Sequence, residues 1–301
     1  MNELVHVFIN VILPVFGIVA IGFLVGGKLA LEARTLTRAA YYVFVPAFIF
    51  QAISNADVSL GSTIQMVVLI TLAHGLVVGI AGGFGWLLGR PREVIAAFIM
   101  IAAFGNVGNY GLALIRFRLG DVAIAPATIY FVTITVFAFV VCVGAAGWAH
   151  GGRKGAFIRV LKTPALWATV PALLVSFNDL SVPLMLSRMV GLLADAMIPV
   201  MLFALGLQLL EQRRVHLSKD LVFATGIRLL LAPLIAFVVA IPFALGPIQK
   251  TAGILQAGMP VAILVAIIAK ENDIVPDFVT SVVVVSTLLS LVTLSLMMVL
   301  L

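Results

Sequence analysis

The residues with the greatest chemical capacity stand where a lipid-facing helix has least use for them. In IAAFGNVGNYGLALIRFRLG, residues 101 to 120, an apolar run is interrupted by Gly105, Asn106, Gly108, Asn109, Tyr110 and Gly111. An asparagine amide both donates and accepts, so Asn106 and Asn109 can meet a carboxylate or a cation. The same amides also suit a plainer task, satisfying backbone groups that a broken helix releases. Polar, irregular backbone at membrane depth is tolerated only where protein or a water-filled cavity surrounds it. The stretch therefore predicts a broken helix, with the break forming part of a substrate site. Gly105, Gly108 and Gly111 suit the close approach of two chains, and Tyr110 suits either a pocket wall or the core.

A second constellation is QAGMP: Gln256, Gly258, Met259 and Pro260. Proline lacks an N–H, so Pro260 interrupts the hydrogen-bond ladder of its span. Helix halves that start at such breaks expose orphan N–H groups and a positive dipole end, which favours an anionic ligand. Gln256, about one turn before Pro260, is a candidate neighbour of that ligand. Pro46 and Pro199 are read as kinks beside the breaks.

Charge inside spans is scarce and costly, so each case invites a role. Asp195 lies roughly 12 Å into its span at 1.5 Å per residue. Arg116 and Arg118 follow the first break. They are expected to snorkel to the interface or, more sharply, to pair with Asp195 and lose that partner as a charge switch. His74 titrates in a range suited to proton coupling, although a packed histidine is more often a helix contact. Arg228 is expected to snorkel toward the cytoplasmic side. Thr128, Thr133, Ser281, Ser286, Thr287 and Ser290 suit interhelical or back-bonded hydrogen bonds.

The elements that hold these residues are apolar spans. The chain of 301 residues is 63% hydrophobic and 10% charged, with mean hydropathy +1.25. Soluble domains carry about 25% charged residues. Ten spans are read, at about 6–26, 36–54, 64–88, 93–115, 122–148, 164–179, 186–209, 220–242, 248–269 and 276–299. The sixth is short. A basic loop, 149–163, separates the halves. The N-terminus carries Glu3 without a basic leader, so no cleavable signal is expected. The single cysteine, Cys142, leaves no disulfide framework or thiolate cluster. Basic residues gather after the odd spans, among them Lys28, Arg34, Arg38, Arg90, Arg153, Lys154, Arg213 and Lys270. The alternate loops hold Arg116, Arg118 and Lys250, with Arg188 close by. The positive-inside rule then puts the odd loops in the cytoplasm and both termini outside. A pI near 9.8 thus reports topology and gives no argument for nucleic acid.

One offset of about 153 residues carries Pro46 onto Pro199, Asn106 onto Met259, and Thr128 and Thr133 onto Ser281 and Ser286. Five spans per half is odd, so the halves enter the membrane from opposite sides as an inverted repeat. Matching interruptions in such halves mark a central site.

With YYVFVPAFIFQAIS, AAFGNVGNYGLAL, DAMIPVMLFALGLQL, LQAGMPVAILVAIIAKE and VVVVSTLLSLVTLSL, the chain resembles the auxin efflux carrier family in its short prokaryotic branch. The resemblance covers nearly the whole chain. It implies an all-α polytopic membrane protein, with ten transmembrane helices as two inverted five-helix repeats. The fourth and ninth helices are broken and cross, as in the bile-acid sodium symporters. It also implies a secondary carrier of organic anions: auxin in plants, malate, malonate or similar carboxylates in bacteria. The chain departs from the common prokaryotic pattern at Leu112-Ala113, where Gly-x-Pro is frequent.

The expectation is a carrier in the bacterial inner membrane, working by alternating access, with no enzymatic activity. Repeats 1–148 and 164–301 flank the linker. Spans 3–5 and 8–10 form a transport domain, while spans 1, 2, 6 and 7 form a scaffold and possible homodimer surface. No cofactor or metal is expected. Sodium is possible through carbonyls at the breaks, but no acidic cage for it is apparent, and no P-loop supplies ATP. A sodium symporter is the alternative within the class. A channel fits less well because the polar residues concentrate at two mid-span breaks.

Overall fold

The computed structural model describes residues 3–55, 59–150, 164–178, 180–211 and 215–301. The linker residues 151–163, and with them Arg153, Lys154, Arg159 and Lys162, lie outside the described residues, as do Arg213 and Arg214. Among the described residues the secondary structure is helical, with no strand beyond one isolated antiparallel bridge. Among the described residues, seven helices are long and apolar enough to cross a membrane. In chain order they are α1 (Glu3–Gly26), α2 (Ala33–Ser54), α3 (Leu60–Leu87), α5 (Asp121–Ala149), α7 (Leu184–Leu210), α8 (Lys219–Ala240) and α10 (Pro276–Leu300). Between them come a shorter apolar helix, α6 (Pro164–Phe177), and two interrupted ones. These are α4a (Arg92–Ala103) with α4b (Leu112–Leu119), and α9a (Pro247–Ala257) with α9b (Ile263–Glu271).

Local chemistry sets the ends. Ser59 caps α3 by accepting from the Ser62 amide, and Ser218 caps α8 by accepting from the Leu221 amide, each at 3.1 Å. Pro247 and Pro276 sit in the first turns of α9a and α10, where a missing N–H costs nothing. Three prolines farther in follow widened, i→i+5 turns, whereas Pro171 and Pro199 lie inside α6 and α7 without one. Phe8–Ile12 precedes Pro14, Ala40–Phe44 precedes Pro46, and Ile227–Leu231 precedes Pro233. The widening absorbs the clash and the lost bond that proline imposes on the preceding turn.

The packing has two parts. α1 lies on α7, α6 on α2, and α2 also meets α7. An added Cβ on Gly22 or Gly206 would strike the backbone of the facing helix, so these glycines let α1 and α7 touch closely. α3 packs on α4a, α5 and α8, while α9a meets α5 and α8. The buried core runs through both parts.

Candidate functional site

The two interruptions meet. Residues 104–106 and 260–262 run antiparallel, bridged at Gly105 and Val261. The Asn106 amide donates to the Pro260 carbonyl at 2.7 Å, and the Ala262 amide to the Phe104 carbonyl at 3.0 Å. Asn106 has φ −77° and ψ 57°, and the Val107 amide returns to the Gly105 carbonyl at 2.8 Å. That is an inverse γ-turn centred on Asn106. It ends one helix direction and opens the wide turn Val107–Gly111 that leads into α4b.

Breaking two helices releases carbonyls, and one side chain collects them. Arg228, in the widened turn of α8, is 0% exposed. Its Nε donates to the Met259 carbonyl at 2.8 Å. Its terminal nitrogens donate to the carbonyls of Ala102 and Ala257, each at 3.0 Å. In unbroken helices the carbonyls of Ala102 and Ala257 would accept from the amides of Asn106 and Val261. Those amides are engaged elsewhere, with Pro260 and with Ser286 Oγ at 3.1 Å. The guanidinium also explains Gly105, because an added Cβ there would collide with it. The cation meets the negative ends of α4a and α9a, a favourable dipole arrangement.

A cavity of about 390 Å³ reaches the first break. Gly105 to Asn109 line it, together with Thr135 of α5, Gln208 of α7, Arg38 of α2 and the start of α9b at Ala262–Leu264. Asn106 Nδ2 is buried without a hydrogen-bond partner, and so is Gln208 Oε1. Gln208 Nε2 donates to Thr37 Oγ1 at 2.9 Å. The turn opening α4b and the start of α9b carry no side-chain cap. The cavity thus collects two helix starts and amide groups of both polarities, a set that suits a small polar anion.

A second cavity, of about 720 Å³, lies between α2, α7, the α4b–α5 turn and the start of α9a. Arg116, Asp121, Asp195, Gln51, Asn55 and Gln249 supply its polar lining.

Several expectations change with these placements. Arg116 pairs with Asp121 at 2.8 Å, not with Asp195. Gly120, at φ +80°, turns the chain between the two partners, a conformation that suits glycine. Arg118 donates to the Met298 carbonyl at 2.7 Å from its terminal nitrogen and stands 3.5 Å from Glu3. Asp195 has no ion pair among the described residues. Arg228 does not snorkel; it is enclosed at the paired breaks.

Tyr110, Gln256, Met259 and Pro260 are buried and line neither cavity. Tyr110 packs edge-on against Phe16, with its hydroxyl 3.3 Å from Ser290 Oγ. Gln256 Nε2 donates to the Ala127 carbonyl at 3.1 Å, and its Oε1 lies against Gly111. Gly108 faces the Phe131 ring and Gly258 the Met297 thioether. Pro46 opens the regular part of α2, and Pro199 lies inside α7. His74 Nδ1 donates to the Ile70 carbonyl at 3.1 Å, so Nε2 accepts from Tyr130 Oη at 3.2 Å. Both ring nitrogens are thereby used. Thr128, Thr133, Ser281 and Thr287 bond back along their own helices, whereas Ser286 also serves the second break.

Sequence reading missed Arg228, Gln208, Thr135 and Ser286 as parts of this region. An arginine near the middle of α8, without an acidic residue nearby in its run, is a signal that could have found the first of them.

The sequence model described as membrane transport protein matches residues 154–298. An uncharacterized transporter of Methanothermobacter thermautotrophicus is 30% identical over 302 aligned positions, covering 98% of this chain and 95% of the relative. A Rhizobium meliloti protein provisionally named a malonate transporter is 23% identical, covering 94% of this chain and 92% of its own length. The uncharacterized transporter YfdV of Escherichia coli is 24% identical over 89% of each chain. With that end-to-end match and these apolar helices, the chain is a multi-pass membrane transporter belonging to the membrane transport protein family, the auxin efflux carriers.

Proposed function

We propose that the chain is a secondary carrier of small organic anions, with carboxylates as substrates. One observation carries this reading. Two uncapped helix starts, at α4b and α9b, open on one cavity beside the unpartnered Asn106 amide. Orphan N–H groups and dipole ends of that sign attract anions. The malonate named for the Rhizobium relative is a substrate of this class.

The architecture that goes with the reading is ten spans in two inverted five-span repeats. Support comes from the packing, since exchanging the halves turns α1 on α7 into α6 on α2. α1, α2, α6 and α7 then form a scaffold, and the remaining helices move against it. The two cavities lie between these groups at opposite ends, one near Arg38 and Glu271, the other near Arg116 and Gln249. With the odd loops in the cytoplasm of an inner membrane, the cavity at the break opens inward, as one end state of alternating access.

Proteoliposomes offered malonate, malate and acetate, with proton, sodium and voltage gradients imposed separately, test this. Uptake of at least one carboxylate, competed by the others, is the expected result. Transport of none of them, or single-channel conductance, would overturn it.

A further inference from the structure

Arg228 holds backbone, yet its charge has no carboxylate partner among the described residues. Burying a cation is costly, and hydrogen bonds to carbonyls recover only part of that cost. Its surroundings can be tallied. The C-terminal ends of α4a and α9a bring about half a negative charge each, and the starts of α4b and α9b about half a positive charge each. These four ends cancel. The guanidinium charge is left over.

That charge is not remote from the cavity. Gly105 separates them: its missing Cβ is the space the guanidinium fills, and the same residue lines the cavity. A glycine is the thinnest partition a chain can offer, and a buried interaction of this kind is little screened by salt. The other faces of the guanidinium meet neutral groups. His74 is occupied by Ile70 and Tyr130 as described, and Met259, Ala102 and Ala257 offer carbonyls.

The geometry points to Arg228 as the positioning residue that gives the cavity its charge selectivity, with the carboxylate of the bound substrate as its counter-ion across Gly105. Asn106 and the two helix starts touch the carboxylate; the guanidinium does not. The same side chain fastens both breaks, so a bound anion stabilises α4, α8 and α9 together. One net positive charge fits one carboxylate. The second carboxylate of a dicarboxylate extends toward Arg38, which lines the cavity together with Glu271 of opposite charge. This assignment rests on the carboxylate-carrier reading and adds the source of its selectivity.

The test uses the full chain in proteoliposomes, with malonate, malate and acetate each set against its amide. Arg228→Lys keeps the charge but cannot span three carbonyls. It is expected to lower Vmax while holding the carboxylate-over-amide preference within about threefold. Arg228→Met is expected to raise KM for the carboxylate about tenfold or more relative to KM for the matching amide. A purely structural arginine would cost both variants Vmax and thermal stability without altering the preference, and that result in folded Arg228→Met overturns the assignment. Should Arg228→Met fail to fold, folded Arg228→Gln, neutral but still able to donate to carbonyls, decides: a lost preference supports the assignment, a retained preference ends it. An unsubstituted protein that does not distinguish carboxylates from amides defeats the carrier reading itself, and the assignment falls with it. That failure is read before any substitution is made.

Discussion

The two breaks occupy matching places in the chain but differ in chemistry. At the second, the backbone of residues 259–261 is closed off, and only the start of α9b beyond it, Ala262–Leu264, borders the cavity. Pro260 O accepts from Asn106, Met259 O from Arg228, and Val261 N donates to Ser286. Met259 and Gln256 are fully buried there. At the first break, the segment 105–109 borders a cavity, and the Asn106 amide has an unused donor. Residues 259–261 of the second break are a support, and the segment 105–109 of the first is a surface. In the carrier proposed above, the side chains at each interruption decide how much of it faces the ligand.

Gly105 is the sharpest place to break this comparison, because it belongs to both sides. Gly105→Val would drive a side chain into the guanidinium and toward the Met259 carbonyl. Transport is expected to fall about 100-fold or more, as small displacements of binding groups do in other sites. Uptake rate in proteoliposomes, with the amount of folded carrier measured alongside, checks it. Next in size is Asn106→Ala, which removes the free donor and leaves the backbone pairing possible. KM for the transported carboxylate should rise about tenfold with little change in thermal stability.

The closed break should respond the other way. Ser286→Ala leaves the Val261 amide buried without a partner, a loss of about 1–3 kcal/mol. Thermal unfolding in detergent should register it, with KM nearly unchanged. If Ser286→Ala moved KM and Asn106→Ala moved only stability, the division between support and surface would be reversed.

Much of this arrangement was legible. The described helices start and end within a few residues of the spans read from apolar runs, and the interruptions lie at GNVGNYG and QAGMP. Glycine, asparagine and proline in an apolar run announce a break because each acts through the local backbone. What stayed hidden acts across the fold. Arg228 is far in sequence from Ala102, whose carbonyl it holds, and Ser286 differs from Thr287 only by what faces it. Gln208 likewise reads as a polar residue in a helix until Thr37 and the cavity are placed beside it. The expected pairing of Asp195 is not made in this structure for the same reason, since the turn at Gly120 offers Arg116 the carboxylate of Asp121.

That nearer pair supplies the smallest effect. Arg116 and Asp121 are both exposed, with side-chain exposures of 46% and 79%. An ion pair so open to solvent gains little, because water and salt screen it and holding two side chains costs entropy. Asp121→Asn should therefore change transport by less than about twofold at physiological salt. Asp195→Asn tests the same cavity with a different expectation, since Asp121→Asn would free Arg116 to seek Asp195. If the outer charges are only a solvated rim, the double variant behaves as the sum of the singles. A double variant that loses far more than the sum would show that Arg116 exchanges carboxylates during the cycle. In that case the larger cavity, and not only the break, would take part in the transport step.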